Sequence, residues 1–365
     1  MPVSASLFDP FRLGDLVLPN RLVMAPMTRS RAEPGGLPSR FAAQYYGQRA
    51  GAGLIVSEPS AVNREAMGYP RTPGLYAPEQ IAAWKVVTDA VHAKGGRIFA
   101  QIWHTGRIGH PQGNPFGLDP VGPSALAAKG KIFTDAGLLP HPVPKTMSAD
   151  DIARTIADFA QAAANALKGG FDGIEIHAAN GYLFDQFFCE AVNLRTDRYG
   201  GGQANRLRFL WEVLEAIKEA IPIGRVGVRL SPYGTYNDIA HADPKGLIEA
   251  LIDGLDRAAV AYVHLIEPEV SGDREAKLAE APPPIRQWAR ARLSRPLIVV
   301  GGYDRARAQA VLSAGEADLI AFGRHYISNP DLAERLRSDL PLTPPNRATF
   351  YSQGPEGYID YPAAS

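Results

Sequence analysis

His177, Asn180 and Tyr182 stand in one short stretch, His177-Ala178-Ala179-Asn180-Gly181-Tyr182-Leu183-Phe184, and their types fit one kind of chemistry. A histidine and an asparagine three positions apart can both donate to one carbonyl oxygen. The tyrosine carries a proton that neutral solution leaves in place until a strong base forms. Together they can polarise a carbonyl and protonate the carbon beside it. The stretch follows directly on Gly173-Ile174-Glu175-Ile176, a short apolar run that reads as a buried strand. The three side chains therefore leave one strand end together. Alone, a strand-end histidine would read as core packing; Asn180 and Tyr182 beside it favour function.

A second constellation concerns an anion. Gly301-Gly302 follow the apolar run Leu297–Val300, and Gly323-Arg324 follow Leu319–Phe322. Glycines let backbone N–H groups approach an anion closely, and arginine matches phosphate with a fork of donors. A tight turn would explain one glycine pair. Two such loops after the last two strands favour a phosphate site. No G-x-G-x-x-G follows a strand and no G-x-x-x-x-G-K-[ST] occurs, which argues against a Rossmann dinucleotide site and a P-loop.

The elements that must carry these residues can be counted. Short apolar runs recur at Leu22–Met24, Leu54–Val56, Ile98–Ile102, Gly173–Ile176, Val226–Leu230, Tyr262–Ile266, Leu297–Val300 and Leu319–Phe322. Helical patterns read at Ala77–Lys94, from Ser148 to Gly169-Gly170, and at Asn205–Ile221, Pro244–Leu255, Arg305–Ala314 and Asn329–Leu336. Ser148 with Asp151 three residues on is a helix start signal, and Gly169 a stop. Strand and helix alternate, so the sheet is parallel, and eight units predict a closed (β/α)8 barrel, an α/β fold, as one domain over 1–365. Leu7–Val17, with Gly14-Asp15 in its middle, predicts an N-terminal hairpin capping the barrel floor. Trp103–Thr146 is too long for a barrel loop and predicts an excursion after strand three that covers the mouth. Tyr351, Tyr358 and Tyr361 are many aromatics for a solvated tail, so the tail is expected to dock.

Composition excludes several classes. The chain has 365 residues, 45% hydrophobic, enough for a large core, with 38 basic against 38 acidic residues, so nothing attracts nucleic acid or an anionic membrane. Its one cysteine, Cys189, excludes an intrachain disulfide, a zinc–cysteine site and a cysteine-held iron–sulfur cluster. Met1–Asp9 shows no leader pattern and no apolar run approaches a membrane span. A cytoplasmic protein, monomer or homodimer, without a metal, is expected.

With these residues in place, the chain resembles the old yellow enzyme family of FMN-dependent ene-reductases, in the branch with threonine beside the flavin. The resemblance runs nearly end to end. It covers Asn20-Arg21-Leu22-Val23-Met24-Ala25-Pro26-Met27-Thr28-Arg29, Gln101-Ile102-Trp103-His104-Thr105-Gly106-Arg107, the 177–182 stretch, Asn193-Leu194-Arg195-Thr196-Asp197-Arg198-Tyr199-Gly200-Gly201, Arg229-Leu230-Ser231-Pro232, Gly323-Arg324 and the tail aromatics. It implies non-covalent FMN held by Pro26, Met27, Thr28, Pro59, Gln101, Arg229, Gly301, Gly302, Gly323 and Arg324. Thr28 would donate to the flavin C4 carbonyl, Gln101 would meet the pyrimidine edge, and Arg229 would sit near N1 and C2=O. For Gln101 a bond to a barrel neighbour, and for Arg229 an ion pair with Glu175, are the plainer readings.

The resemblance further implies that NADPH or NADH reduces the flavin, which then delivers hydride to the β-carbon of an α,β-unsaturated carbonyl, nitroalkene or related electrophile. His177 and Asn180 would hold the substrate oxygen, Tyr182 would protonate the α-carbon, and Tyr69, Trp103 and Tyr351 would line the substrate pocket. Two departures stand out. Pro59 lies where the family has a residue whose N–H reaches the flavin, and proline has none. Ser352-Gln353-Gly354 replaces a run of glycines. Among other classes, a glycosidase would need two carboxylates facing a sugar; Glu58, Glu175 and Glu267 lie near strand ends, but strand seven ends in Gly301-Gly302. A metal hydrolase lacks H-E-x-x-H. A non-catalytic flavoprotein is separated by turnover of NADPH with an enone. Larger relatives with a cysteine cluster and further domains are disfavoured by one cysteine and an end at Ser365.

Overall fold

The computed structural model describes residues 5–272, 274, 275 and 283–364. Residues 1–4, part of the stretch read for a leader, lie outside them. The eight apolar runs are strands Leu22–Met24, Leu54–Val56, Ile98–Trp103, Gly173–Ala178, Val226–Leu230, Tyr262–Ile266, Leu297–Val300 and Leu319–Phe322. Each pairs in parallel with the next. The eighth returns to the first, with Ile320 opposite Leu22 and Phe322 opposite Met24. The ring is closed, and the fold is the predicted (β/α)8 barrel.

Strand alternation sorts side chains between two cores. On strands three to six, Ile98, Ala100, Ile102, Ile174, Ile176, Val226, Val228, Val263 and Leu265 join the outer cluster beneath the helices. Phe99 and Tyr262 join an inner cluster with Val23, Leu54, Val56, Ile298, Val300, Leu319 and Ala321. The same period sends Gln101, Glu175, His177, Arg229 and His264 inward, toward the C-terminal half of the ring. Register lines up His177 with Arg229 and Arg229 with His264. Gly227 gives room to one inward group: a Cβ there would lie 2.2 Å from Cζ of Tyr262.

The barrel floor is plugged as expected. Phe11–Leu13 pairs antiparallel with Leu16–Leu18, and Leu13, Leu16 and Leu18 join the inner cluster. Helix Ala149–Lys168 has the predicted capping box: Asp151 N–H donates to Ser148 Oγ at 3.1 Å and Ser148 N–H donates to the Asp151 carboxylate at 2.9 Å. Helices Pro78–His92, Gln203–Ala220, Pro244–Ala258 and Arg305–Ser313 stand close to their predicted positions. The helix expected from Asn329 starts at Leu332. The Asn329 amide instead donates to the His325 carbonyl and accepts from Thr343 N–H, which turns the chain first. Short helices Ala42–Gln48, Leu183–Phe188, Ile285–Arg290 and Arg324–Ser328 gave no periodic signal.

The excursion after strand three holds a hairpin, Lys131–Thr134 with Gly137–Pro140, and a short parallel pair. It was expected to cover the mouth. Among the described residues, none of it beyond Trp103 lines the cavity described below. It buttresses neighbouring loops: Asn114 Nδ2 donates to the Arg64 and Met67 carbonyls, and Arg107 Nη2 to the Asp238 carbonyl.

The tail docks through two buried arginines. Arg31 donates to the carbonyls of Thr349, Phe350, Gly354 and Glu356 and to Ser352 Oγ, and Arg29 donates to those of Phe350 and Gly357. Tyr358 stacks on Tyr45 at 4.1 Å. Beneath lies Glu58, buried, with one oxygen accepting Arg29 N–H at 3.2 Å and the other without a protein partner. Burial raises its carboxyl to about 7, against the lowering pull of the Arg29 N–H and the Arg29 and Arg31 charges. Between the ordinary value of 4.5 and about 7 the folded chain therefore keeps a proton that the unfolded chain releases, and this group's contribution to stability falls as pH rises through that window. Glu58→Gln removes the effect. The melting temperature of the variant relative to wild type should rise from about pH 5 to about pH 8 and level off above; a constant difference would contradict the assignment.

Candidate active site

A cavity of about 410 Å³ opens at the C-terminal ends of the strands, where barrel enzymes keep their chemistry. Ala25, Gln101, Trp103, His177, Arg229, Ile266, Val300, Ala321 and Phe322 form its base. Pro26, Met27, Thr28, Pro59, Asn180, Tyr182, Gly302, Gly323, Arg324 and Tyr351 form its walls. Most residues singled out in the sequence thus come together.

The base rests on one carboxylate. Glu175 has no exposed surface. One oxygen accepts Gln101 Nε2–H at 2.7 Å; the other accepts from His264 Nδ1 at 2.9 Å and the Tyr262 hydroxyl at 3.1 Å. Burial pushes this carboxyl up, but the His264 ring, the Arg229 charge and the Gln101 amide outweigh it and hold it below its ordinary value. Because a carboxylate only accepts, it fixes the Gln101 amide with nitrogen inward and oxygen outward. That oxygen has no protein partner, and Gln101 is among the residues that line the cavity. Both plainer readings are thereby refined. Gln101 is bonded to a neighbour and still presents a free acceptor. The Glu175 oxygens are taken by Gln101, His264 and Tyr262, while Arg229 feels the carboxylate charge, leaves its buried Nε unpartnered and is among the residues that line the cavity.

The turn after strand four is held by the loop of its neighbour in the ring. Asn180 and Gly181 are both left-handed, with φ of 58° and 73°, a conformation that asparagine and glycine tolerate. Asn180 N–H donates to Ser231 Oγ at 2.7 Å, and Asn237 Nδ2 donates to the Asn180 carbonyl at 2.8 Å. Gly181 N–H donates to Asp185 Oδ2, whose partner oxygen meets His241 Nε2 at 2.8 Å. Ser231, Asn237 and His241 all belong to the loop after strand five. Tyr182 starts helix Leu183–Phe188, with its ring edge-on to Trp103 at 4.9 Å and to His177 at 5.0 Å. Burial, with the Arg229 and His264 charges, holds His177 well below 6.5, so its ring is neutral and offers one N–H. Burial, with Tyr69 and Tyr236 nearby, holds the Tyr182 phenol well above 10, so it keeps its proton.

Two predicted residues stand elsewhere. Gly301 is outside the cavity wall; a Cβ there would lie 2.6 Å from Glu267 Oε2, so the glycine serves packing. Gly302, with φ of 70° and open space beside it, faces the cavity. Tyr69 is also outside the wall, stacked on Trp103 at 6.0 Å behind Tyr182. Tyr351 stands at the mouth, 46% exposed. Ser352, one of the departures, gives Arg31 an acceptor that glycine could not, which ties down the loop carrying Tyr351. Tyr236, Asn237 and Arg274 were not read from the sequence; their position in loops after barrel strands was the available signal.

No carboxylate lines the cavity among the described residues, which removes the glycosidase reading. Glu267 is held by Arg286 and Tyr303 instead. No group of three metal-ligating side chains occurs among the described residues, and no described helix is long and apolar enough to cross a membrane. The donor set does fit a flavin. Its pyrimidine edge has an imide N–H between two carbonyls; the free Gln101 Oε1 matches the first, and the Thr28 hydroxyl and Arg229 guanidinium match the others. Gly302, Gly323 and Arg324 offer an anion end.

Comparison with known proteins agrees. The model of the NADH:flavin oxidoreductase / NADH oxidase family matches residues 6–343. The chain is 41% identical to 12-oxophytodienoate reductase 1 of Oryza sativa over 98% of its length and 92% of that protein's. It is 42% identical to a chanoclavine-I aldehyde reductase of Penicillium roqueforti, covering 97% of this chain and 95% of that one. The structure of morphinone reductase superimposes with a TM-score of 0.93 at 43% identity, over 99% of this chain and 97% of that one. The old yellow enzyme homologue of Zymomonas mobilis gives 0.92 at 40%, over 98% and 99%.

Glu175→Gln tests the base of the site. With the carboxylate gone, the Gln101 amide is free to turn its N–H outward, and the match of its oxygen to a flavin imide would be lost. FMN affinity should fall a few-fold to about 10-fold, and the flavin midpoint potential should rise as a buried negative charge is removed. Fluorescence titration and potentiometry read the two effects; unchanged affinity and potential would contradict this role.

Proposed function

We infer the activity from the family, since the chain belongs to the NADH:flavin oxidoreductase / NADH oxidase family, the old yellow enzymes, and from a cavity whose donors and acceptors suit a flavin and whose lining includes His177, Asn180 and Tyr182. The protein is an FMN-dependent oxidoreductase that uses NAD(P)H to reduce the C=C bond of electrophilic alkenes. Bound FMN would supply the hydride chemistry that links the nicotinamide to the alkene β-carbon. Gln101, Thr28 and Arg229 would hold its pyrimidine edge, Pro26, Met27 and Pro59 its ring faces and rims, and Gly302, Gly323 and Arg324 its phosphate.

The chain's own groups do the rest. His177 and Asn180 hold the substrate's carbonyl or nitro oxygen. Their donors meet growing negative charge in a buried site, where such bonds are strongest. A neutral His177 donates without first giving up a proton. Tyr182 keeps its proton at Oη until the α-carbon becomes basic, then delivers it. Trp103 and Tyr351 bound the space for the substrate and exclude water. The names of the relatives, a 12-oxophytodienoate reductase and morphinone reductase, favour conjugated cyclic ketones as substrates. What supports the reading most is that His177, Asn180 and Tyr182 line one cavity with Gln101 and Arg229, while burial favours a neutral His177 ring and keeps the proton on Tyr182.

The test begins with colour. The purified protein should bind one FMN per chain, released by acid precipitation; failure to bind FMN on reconstitution would sink the reading. His177→Ala should weaken phenol binding by about 1.5–3 kcal/mol, the cost of a bond to a charged group, at normal FMN content. Tyr182→Phe should slow cyclohexenone reduction by about 10²–10⁴ and leave flavin reduction by NADPH unchanged. Nitroalkene reduction should suffer less at the hydride step, since a nitronate is stable enough to take its proton from water. Equal enone rates in the variant and wild type would remove Tyr182 from the acid role.

A further inference from the structure

Tyr182 has a problem that the mechanism above leaves open. Giving up its proton leaves a phenolate on a side chain that is only 7% exposed. A buried anion without donors costs several kcal/mol, so something must stabilise it and return its proton. The substrate fills the cavity side at that moment. On the other side stands Tyr69, whose hydroxyl lies 3.4 Å from that of Tyr182. Its ring is edge-on to Tyr182 at 6.4 Å and stacked on Trp103, so it is held in place. The hydroxyl separation is long for an O–H···O bond, as catalytic contacts often are before the substrate arrives. Burial raises both phenols and so keeps their protons in place; the nearby Asn237 side chain works against that at each, as a smaller effect. Tyr69 is the more exposed of the two.

We propose that Tyr69 is a relay residue that acts through Tyr182: it donates to the Tyr182 oxygen as the proton leaves, reloads it, and recovers its own proton from water. This rests on the acid role given to Tyr182 above. The balance is simple. The Tyr182 O–H bond breaks and a C–H bond forms at the substrate α-carbon. The Tyr69 hydroxyl proton passes to the Tyr182 oxygen, and a water proton passes to Tyr69. One solvent proton is consumed per turnover and both phenols are restored. The Asn237 amide, pinned by its bond to the Asn180 carbonyl, donates to the pair while it carries the negative charge.

The alternative is that Tyr69 only packs on Trp103. Tyr69→Phe keeps that ring and removes the hydroxyl. Tyr69→Phe, Tyr182→Phe and the double variant, each loaded with FMN and pre-reduced, are mixed with cyclohexenone and with a nitroalkene in stopped flow. Phenol affinity and flavin reduction by NADPH are measured beside them. Tyr69→Phe should slow enone reduction about 10- to 100-fold, the worth of one hydrogen bond to a charged group. The nitroalkene hydride step, phenol affinity and flavin reduction should hold at wild-type values. The double variant should be no slower than Tyr182→Phe, because the relay has nothing left to reload. Equal slowing of every acceptor, or additive losses in the double variant, would show a packing role and overturn the relay. A slow Tyr182→Phe beside a wild-type-rate Tyr69→Phe would overturn the relay alone. A fast Tyr182→Phe would overturn the acid assignment and the relay with it.

Discussion

Glu175 is a carboxylate with no access to water, and the upper half of the barrel is arranged to satisfy it. Its partners come from three different strands: Gln101 from the third, Tyr262 and His264 from the sixth, with the Arg229 charge of the fifth close by. A buried charge left short of donors costs several kcal/mol, so these strands must keep their register. A slip of one residue would turn Gln101, Arg229 and His264 to the helical side and bring isoleucine, valine or leucine in their place. The carboxylate thus ties barrel closure to site chemistry. It also leaves the cavity floor with an acceptor at Gln101 beside donors at Arg229, a pattern that suits an imide edge.

The opposite wall follows a different rule. It is built from loops, and loops hold a shape only when side chains pin their backbone groups. The turn at Asn180-Gly181 is pinned by Ser231, Asn237 and, through Asp185, His241. The loop at Tyr351 is pinned by Arg31 and Arg29. In both places a long side chain reaches across a wide sequence gap to collect carbonyls or amides. The site is rigid at its floor through strand pairing and rigid at its rim through these bonds. Pro59 offers no N–H at the floor's edge, which leaves the Thr28 hydroxyl with more of that side to itself.

Much of this was legible in the sequence, because the signals were local. Eight short apolar runs, each bounded by turn residues, determined the strand count. Ser148 with Asp151, and Gly169, determined one helix to its ends, since a capping box and a stop are made within a few residues. His177, Asn180 and Tyr182 share one stretch, so their leaving one strand end together needed no long-range contact. The short helices at Ala42 and Arg324 were not legible, because so few residues show no period.

Tertiary structure decided what lies opposite what. Tyr69 and Tyr182 are 113 positions apart, Gln101 and Glu175 are 74, and Arg31 and Phe350 are 319. No local pattern links such pairs; they meet only when the ring closes and the loops fold back. Gly301 and Gly302 look alike in sequence, yet one packs against Glu267 and the other faces the cavity. Tyr69 read as pocket lining and stands behind Tyr182 instead. Residue type and spacing set which chemistry was available. Closure of the barrel set which groups meet, because contact across the ring depends on register and not on neighbours in the chain.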